Sequence, residues 1–307
     1  MTTSTPKPRI GITLGDCAGI GPEIVELALK SGRLPDSTEY IVLGRQPNCK
    51  AGVPTPETAR AAANALEEAV TLARRSELEA IVTGPVHKAR MYEVGFRFPG
   101  QTEFFAERCG AKDFAMCLTG GKLTVALVTA HVPLCKVPRA LKQSEIARVG
   151  LLLADFLRSR GKNAPRVAAA GLNPHAGESG KLGVEEIEVI APAVDELNSS
   201  PVSRHSSPVF IGPVSPDTVF HRAIEGEFDA ELCMYHDQGL IPLKLHAFHS
   251  GVNVTLGLPF SRTSPDHGTA FEIAGKGIAR PDSMIAAINL TVQLAEKQKT
   301  TNRTKTS

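Results

Sequence analysis

Residues 166–178 read RVAAAGLNPHAGE, an apolar run that ends in a polar turn containing one histidine. The run is apolar almost throughout, which is typical of a parallel strand covered on both faces. Such runs alternate along the chain with helical stretches, for example 56–75 and 145–160. The alternation predicts an α/β fold in three layers, with helices on both faces of the sheets. The other runs of this kind lie at 9–14, 40–43, 80–83, 115–119, 123–129, 208–212, 230–235 and 252–256.

Length and composition narrow the class of protein. A chain of 307 residues indicates two domains, since domains average roughly 150 residues. The 34 Lys and Arg residues nearly balance the 32 Asp and Glu residues, which excludes a strongly basic nucleic-acid-binding surface as the main theme. No apolar run approaches the roughly 18 residues that span a membrane. We therefore expect neither nucleic acid nor a membrane as a partner.

The N-terminus and the cysteines bear on the cellular compartment. Met1–Arg9 is polar and contains proline, without the apolar core of a signal peptide. The six cysteines form no CxxC pair, and reduced thiols are the simpler expectation in a chain of this length. These features predict a cytoplasmic protein without a cysteine-based zinc site.

Four of the nine histidines closely follow apolar runs: His87, His131, His175 and His236. In open parallel sheets, ligands bind beyond the carboxyl ends of the strands, where side chains from distant segments meet. Three neutral imidazoles with open coordination positions form a catalytic site for Zn²⁺ or a similar ion. Taken singly, however, each histidine is more often an ordinary polar residue, and the spacings form no local motif. The residues alone leave both interpretations open.

One glycine-rich segment and several polar residues are candidates for binding anions. The segment Gly15–Glu23 joins a strand to a helix but matches neither a dinucleotide-binding motif nor a P-loop, so it is either a ligand loop or a tight turn. Thr102 is expected to cap a helix. Lys244, Asn253 and Arg262 suit a phosphorylated or carboxylated substrate, although each singly is more often a solvated surface group.

Four motifs then occur in order: TGPVHK at 83–88, GLNPHAGE at 171–178, MYHDQG at 234–239 and DHGTA at 266–270. Together they resemble the 4-hydroxythreonine-4-phosphate dehydrogenase family of vitamin B6 biosynthesis, over about residues 9–298. The resemblance implies two α/β/α domains with a cleft between them, as in isocitrate and isopropylmalate dehydrogenases, and a homodimer with shared active sites. On this basis we expect residues 1–125 and 255–307 in the first domain, with the cofactor loop. Residues 126–254 are expected to form the second, with the metal site and the dimer interface.

The resemblance also implies roles for individual residues. One divalent ion (Zn, Mg, Mn or Co) is expected on His131, His175 and His236, the last from the partner subunit, which leaves His87 outside the site. The adenosine part of NAD or NADP is expected against His267, Gly268 and Ala270. The implied substrate contacts are Gln101, Thr102, Lys244, Asn253 and Arg262. The implied catalytic residues are Asp217, at a position near the metal, and Lys244.

The implied reaction is oxidation of a secondary alcohol by NAD(P)⁺, followed by loss of CO₂ from the resulting β-keto acid. For 4-phosphooxy-threonine (4-hydroxythreonine 4-phosphate) the product is 3-amino-2-oxopropyl phosphate, in pyridoxal phosphate biosynthesis. Gln101 departs from the family pattern, which has histidine there, and an amide cannot carry the charge that helps to bind a phosphate. Two alternatives therefore stay open: a sister dehydrogenase acting on 4-phosphothreonate or another hydroxy acid, and a non-catalytic binding descendant.

Overall fold

The computed structural model describes residues 7–45, 48–199 and 208–305, with side chains described up to residue 298. The chain divides into two units, which we call the first and the second unit. The first unit comprises Met1–Lys112 and Val252–Ser307, and the second comprises Asp113–Gly251. Each unit contains strands, helices and its own apolar core, as the alternation of strands and helices predicts.

In the first unit the strand order is β2-β1-β3-β10-β9. The first four strands run parallel and β9 runs antiparallel to β10. The strands are β1 (Arg9–Thr13), β2 (Glu39–Leu43), β3 (Ala80–Thr83), β9 (Val252–Leu256) and β10 (Ser261–Pro265). The helices are α1 (Gly21–Lys30), α2 (Pro56–Arg74), α3 (Lys88–Glu93), α4 (Gln101–Cys109) and α10 (Asp282–Lys305).

Helix α2 shows how local sequence shapes this unit. Thr55 Oγ1 accepts a hydrogen bond from Thr58 N at 3.3 Å, and Pro56 occupies the first turn, so the helix starts where the sequence predicts. Its apolar face packs Leu66 and Val70 into the core. The buried rings of Phe104 and Phe105 on helix α4 belong to the same core. The ring of Phe105 lies against the guanidinium of Arg262, which is described in the next section.

In the second unit the strand order is β4-β5-β8-β6-β7. Strands β5, β8, β6 and β7 run parallel, and β4 pairs antiparallel with β5. The strands are β4 (Ala115–Gly120), β5 (Leu123–Leu127), β6 (Arg166–Ala170), β7 (Val209–Val214) and β8 (Ala230–Cys233). The helices are α5 (Val137–Ala140), α6 (Gln143–Ser159), α7 (Ala191–Ser199), α8 (Val219–Ile224) and α9 (His236–Ala247). A π-helical turn, Glu186–Ile190, leads into α7.

The division of the chain differs from the expected boundaries at 125 and 254. The units separate after Lys112 and after Gly251. A boundary at 125 would cut through β5, which pairs with β4 on one side and β8 on the other. The hairpin β4–β5 therefore stays together in the second unit.

Strand β10 is an element that the sequence pattern misses, since none of the apolar runs covers residues 261–265. The strand reads Ser-Arg-Thr-Ser-Pro, without the apolar run that marks the other strands. It is nevertheless buried, since its polar side chains pair internally: Thr263 Oγ1, for example, lies 2.7 Å from Thr291 Oγ1. Polar groups that satisfy one another are buried at little cost, and such pairs leave no hydropathy signal.

Over the described ranges, the structure contains no helix that combines the length and the apolar character needed to cross a lipid bilayer.

Candidate active site

The predicted metal ligands all lie at one edge of the sheet in the second unit. His131 follows β5, His236 follows β8 and His175 follows β6. These three strands are neighbours and run parallel, in the order β5-β8-β6. Because parallel neighbours end at the same edge, the three turns that carry the histidines begin side by side.

Hydrogen bonds beyond the strands bring His131 and His236 together. Thr129 continues the pairing of β5 with β8, since its N–H and its Oγ1 donate to Met234 O at 3.2 and 2.7 Å. The rings of His131 and His236 then lie 5.9 Å apart between centroids. Two imidazoles that bind one ion at about 2.0–2.1 Å have centroids roughly 5–6 Å apart, so this separation would suit an ion held within one chain, whereas the resemblance assigns the third ligand to His236 of the partner subunit.

His236 is also oriented by its neighbour. It is the first residue of α9, and its side chain is 34% exposed. Its Nδ1 lies 2.6 Å from Asp237 Oδ1. A carboxylate on one ring nitrogen fixes the imidazole and leaves the other nitrogen, Nε2, for a ligand, which is the usual arrangement behind metal-binding histidines.

His175 lies on an exposed turn with unusual backbone geometry. Residues 175–179 all have positive φ, with values of 50, 49, 77, 45 and 56°. Only Gly177 among them adopts this region without strain. His175 lines a cavity of about 560 Å³ together with Asn173, Asp217 and Tyr235. Strained backbone of this kind clusters at functional sites, which agrees with the role predicted for His175.

Asp217 faces His175 from the turn after β7. Its Oδ1 accepts a hydrogen bond of 2.6 Å from Ser215 Oγ. This hydrogen bond lowers the pKa of Asp217 and outweighs the opposing effect of burial, while a backbone hydrogen bond and the nearby His175 act in the same direction as Ser215. Asp217 is therefore an ionised carboxylate beside the imidazole at neutral pH, placed to accept a proton or a hydrogen bond.

The turn is tied to the rest of the unit by Glu186, a residue that the sequence did not single out. Glu186 is 1% exposed and accepts hydrogen bonds from Leu172 N and Asn173 N. Burial alone raises its pKa, but the hydrogen bonds from the side chain of Asn173 and from backbone N–H groups outweigh burial, so the pKa lies below its usual value. In the sequence, Glu186 is one of several acidic residues in a helical stretch and carries no signal of its own.

The three predicted histidines do not converge on one point in the described part of the chain. Among the described residues, no group of three or more His, Cys, Asp or Glu side chains lies close enough together to hold an ion. The donors fit the expected metal in kind, since imidazole suits Zn²⁺ and related ions. His131 and His236 also fit in spacing.

His87, the fourth histidine after an apolar run, has a different role in the first unit. Its Nδ1 accepts a hydrogen bond of 3.4 Å from Arg90 N, so it caps helix α3. Its ring also packs against Phe271 at 5.7 Å between centroids.

The first unit contains a second constellation, built around the buried side chain of Arg262 on β10. Arg262 is 2% exposed. Its guanidinium donates to Gln101 Oε1 at 2.8 Å and to Thr255 Oγ1 at 3.2 Å, and it also donates to Thr83 Oγ1. The guanidinium lies over the ring of Phe105 at 5.5 Å.

Burial lowers the pKa of Arg262 to about 9, against the opposing effect of the charge of Glu103. The side chain is thus cationic at neutral pH. It is a rigid positive group that suits an anion.

Gln101 and Thr102 extend this constellation from the start of α4. Gln101 Nε2 donates to Gly84 O at 3.2 Å, so both ends of its amide are engaged. Thr102 Oγ1 lies 3.3 Å from Thr255 Oγ1. The expectation that Thr102 caps the helix is wrong, because Gly100 occupies the cap position and Thr102 lies inside the first turn.

Asn253 and Lys244 complete the predicted substrate contacts. Asn253 precedes Thr255 by two residues on β9, so both side chains point to the same face of the sheet. Its Oδ1 is buried and has no hydrogen-bond partner among the described residues, which suits a ligand contact because buried polar atoms are normally paired. Lys244 is half-buried on α9 in the second unit.

The predicted cofactor loop packs against the glycine-rich segment of the first unit. Ile20 N donates to Thr269 O at 2.9 Å, and a Cβ on Gly19 would lie 2.7 Å from the same oxygen. Glu23 accepts from the N–H of Gly275 at 3.1 Å. The segment is therefore a tight turn at Gly19, where a side chain would clash with the predicted cofactor loop. Residues of the glycine-rich segment and residues after the cofactor loop line a cavity of about 850 Å³.

The three predicted cofactor contacts sit on this loop. His267 Nδ1 lies 3.2 Å from Gly268 O, and Gly268 is exposed. Ala270 has a φ of 43°, in the left-handed region that a non-glycine residue rarely adopts.

Comparison with known proteins first defines the class. The chain has the fold of a solved β-decarboxylating dehydrogenase from Thermococcus kodakarensis, with a TM-score of 0.54 at 15% identity, over 95% of this chain and 84% of that one. The α/β prediction with an isopropylmalate-dehydrogenase-like fold is thereby confirmed. At this identity the likeness concerns the fold alone.

The family follows from closer similarities. The model of the pyridoxal phosphate biosynthetic protein PdxA family matches residues 23–291, and the chain belongs to this family. It is 41% identical to a 4-hydroxythreonine-4-phosphate dehydrogenase from Caulobacter vibrioides, over 96% of this chain and 99% of the relative. A solved 4-hydroxythreonine-4-phosphate dehydrogenase from Klebsiella pneumoniae matches with a TM-score of 0.78 and 35% identity, over 94% and 100% of the two chains.

A sister activity also occurs among the relatives. The chain is 36% identical to a D-threonate 4-phosphate dehydrogenase from Pectobacterium atrosepticum, over 93% of this chain and 99% of the relative. These relatives are all named as dehydrogenases, and the prediction of an enzyme that oxidises an alcohol is confirmed.

Proposed function

We propose that the protein oxidises 4-hydroxythreonine 4-phosphate with NAD or NADP, and that the resulting β-keto acid loses CO₂ to give 3-amino-2-oxopropyl phosphate. The observation that carries this proposal is the placement of His131, His175 and His236 at three adjacent strand ends. The names of the relatives at about 40% identity support the choice of substrate.

The metal would be held by His131, His175 and His236 of the partner subunit. Bound there, a divalent ion (Zn²⁺, Mg²⁺, Mn²⁺ or Co²⁺) supplies Lewis-acid chemistry, which lowers the pKa of the substrate hydroxyl and stabilises the enolate left by decarboxylation. Neutral imidazoles preserve the full charge of the ion for this purpose. Asp237 orients the ring of His236, and Asp217 receives a proton beside His175.

The anionic ends of the substrate would be bound by the two cationic residues. Arg262 is fixed in place by its three acceptors, so it binds a carboxylate or phosphate without reorganisation. Thr102 and Gln101 lie beside it for the phosphate end, and Asn253 adds a hydrogen bond from β9. Lys244 would neutralise charge and assist proton transfer.

The cofactor would bind along the loop that carries His267, Gly268 and Ala270. NAD(P)⁺ supplies the hydride acceptor for the oxidation. The loop is held by Ile20 and Glu23, and Gly275 and Gly277, further along the chain, line a cavity of about 850 Å³. Lys276 and Arg280 follow the loop and are candidates to contact a 2′-phosphate, which would favour NADP.

We further propose that the protein is a homodimer. Ile241, Leu245 and Phe248 are 67, 88 and 69% exposed. Their spacing of four and three residues aligns them along one side of α9 and its end. An apolar stripe of this kind is costly in water and marks an interaction surface. The stripe lies on the helix that begins at His236, so a second copy covering it would also approach the histidine edge.

The proposed location is the cytoplasm. All six cysteines are described and none forms a disulfide. Reduced thiols are usual in cytoplasmic proteins.

A sister activity on 4-phosphothreonate is the second candidate, and the observation that favours it is the 36% identity to a D-threonate 4-phosphate dehydrogenase. Gln101 bears instead on whether the substrate carries a phosphate at all. Its amide is already engaged at both ends, by Arg262 and by Gly84 O. It therefore adds no positive charge for a phosphate. Steady-state kinetics on 4-hydroxythreonine 4-phosphate, 4-phosphothreonate and an unphosphorylated hydroxy acid would rank the three by kcat/KM. The proposal requires the first substrate to rank highest.

The metal mechanism is tested by His175→Ala. We expect metal-dependent NAD(P)H formation to fall by about 10³-fold or more, a loss of about 4 kcal/mol of transition-state stabilisation. The matched control is His221→Ala, an exposed histidine on α8, which should keep wild-type activity. Full activity of the His175→Ala protein after metal removal would refute the mechanism.

A further inference from the structure

The turn that carries His175 needs a source of stability from outside itself. Residues 175, 176, 178 and 179 are not glycine, yet each has a φ between 45 and 56°. Non-glycine residues in this region each cost about 1 kcal/mol or more. A turn with several such residues persists only when surrounding contacts fix it.

Glu186 provides contacts of this kind. Its Oε1 accepts from Leu172 N and from Asn173 N, both at 2.7 Å. Its Oε2 accepts from Asn173 Nδ2 at 2.9 Å. Both carboxylate oxygens thus bind the segment that leads into the turn, and the side chain is 1% exposed.

Two glycines leave room for this carboxylate, because a side chain at either position would crowd its oxygens. A Cβ on Gly171 would lie 3.2 Å from Glu186 Oε1, and a Cβ on Gly177 would lie 2.7 Å from Oε2. The carboxylate therefore touches the backbone on both sides of His175. Gly171 is fixed in turn by Gln238, whose Nε2 donates to Gly171 O at 2.6 Å.

We propose that Glu186 is a positioning residue, which holds the left-handed turn of His175 in the conformation that binds the metal. The proposal rests on the proposed function for the identity of the ligand. Glu186 does not touch the metal or the substrate, and it acts through Leu172 and Asn173. Outer groups that fix a metal ligand typically change metal affinity by about 10–100-fold when they are removed.

Glu186→Gln is the substitution that isolates this role. Glutamine has the same shape, and its Oε1 still accepts from Leu172 N and Asn173 N. Its Nε2 would face Asn173 Nδ2, so a donor meets a donor where the carboxylate accepted a hydrogen bond. The matched control is Glu188→Gln, which removes the same charge from an exposed position two residues further along the same turn.

Two measurements on the full-length protein test the proposal. Titration with Co²⁺, followed by visible absorption, should show about 10–100-fold weaker binding for Glu186→Gln and unchanged binding for Glu188→Gln. Hydrogen exchange without metal should be faster in residues 172–179 of Glu186→Gln and unchanged in strands β5, β6 and β8. A purely structural role would instead loosen the whole unit.

The outcomes separate this inference from the proposed function. Wild-type protein that binds no Co²⁺ would refute the metal site, and the exchange of residues 172–179 would still decide whether Glu186 holds the turn. Unchanged exchange there in Glu186→Gln would overturn the proposal. Wild-type Co²⁺ affinity in Glu186→Gln, with the wild-type protein binding the ion, would overturn it as well.

Discussion

The second unit presents its candidate metal-binding histidines on exposed turns, whereas the first unit buries Arg262, its candidate anion-binding residue. His131 and His175 are exposed, and the backbone fixes their positions through strand ends and a strained turn. Arg262 is 2% exposed, and side-chain acceptors fix it instead. Exposed ligands on turns can be shared with a second chain. A buried cation that is held by side-chain hydrogen bonds can bind an anion in only one orientation.

The largest expected effect tests whether the histidine edge is shared between subunits. His131→Ala and His236→Ala should each abolish metal-dependent activity. If the two histidines of one site come from different chains, a refolded equal mixture of the variants forms mixed dimers with one intact site. Such a mixture should regain about one quarter of wild-type activity.

The rings of His131 and His236 contact each other within one chain, so the two histidines of a site could also come from the same chain. A mixture that stays inactive would place both histidines of a site on one chain, which would contradict the assignment of His236 to the partner subunit. Wild-type protein passed through the same refolding is the control.

Replacing Arg262 by lysine tests the buried constellation of the first unit. Arg262→Lys keeps the charge, but one ammonium group cannot serve Thr83, Gln101 and Thr255 in the same geometry. Losing one charged hydrogen bond of about 1.5–3 kcal/mol corresponds to a fall in kcat/KM of roughly 10–100-fold. Arg60→Lys, at an exposed position on α2, is the control and should match the wild type. An unchanged kcat/KM for Arg262→Lys would show that the guanidinium geometry does not matter.

Gln101→His should change specificity more than overall activity. An imidazole that carries a partial positive charge adds attraction for a phosphate, worth about 1 kcal/mol. We expect the ratio of kcat/KM for 4-hydroxythreonine 4-phosphate over an unphosphorylated analogue to rise by about 5-fold. A ratio equal to that of the wild type would remove Gln101 from the set of specificity-determining residues.

The last comparison concerns stability, and it contrasts a buried acid of the second unit with Arg262, whose guanidinium donates to three side chains. Burial raises the pKa of Glu231 to about 8, and its Oε2 has no hydrogen-bond partner among the described residues. Between pH 4.5, the ordinary pKa, and pH 8 the unfolded chain loses this proton while the folded chain keeps it. The free energy of unfolding should therefore fall as the pH rises through this range.

Glu231→Gln removes this titration. The variant should be more stable than the wild type at pH 8, by on the order of 2 kcal/mol, and the two should converge near pH 4. Urea unfolding at several pH values measures the difference. A constant difference across the range would show that folding does not shift the pKa of Glu231.

Sequence patterns were sufficient for most of the scaffold and for placing the candidate metal ligands at strand ends. Apolar runs predicted the strands that carry the histidines, and parallel strands necessarily end at the same edge. The motifs around His175 and His236 then identified the family. These features are visible because each depends on residues that are close together in the chain.

Other features depended on contacts between distant residues. Strand β10 was missed because its polar side chains are satisfied by partners elsewhere, such as Thr291. Glu186 was missed because its role arises only when the π-helical turn packs against Asn173. The unit boundaries shifted because pairing holds β4 and β5 together.

The sequence by itself determined the α/β class, the family and the set of candidate site residues. Periodicity, strand-end placement and local motifs record these properties directly. Only the tertiary structure decided that Arg262 is buried among three acceptors, that Gln101 is engaged at both ends, and that a buried carboxylate supports the turn of His175. Burial and hydrogen-bond pairing are properties of the packed chain, because they depend on which distant groups meet once water is excluded.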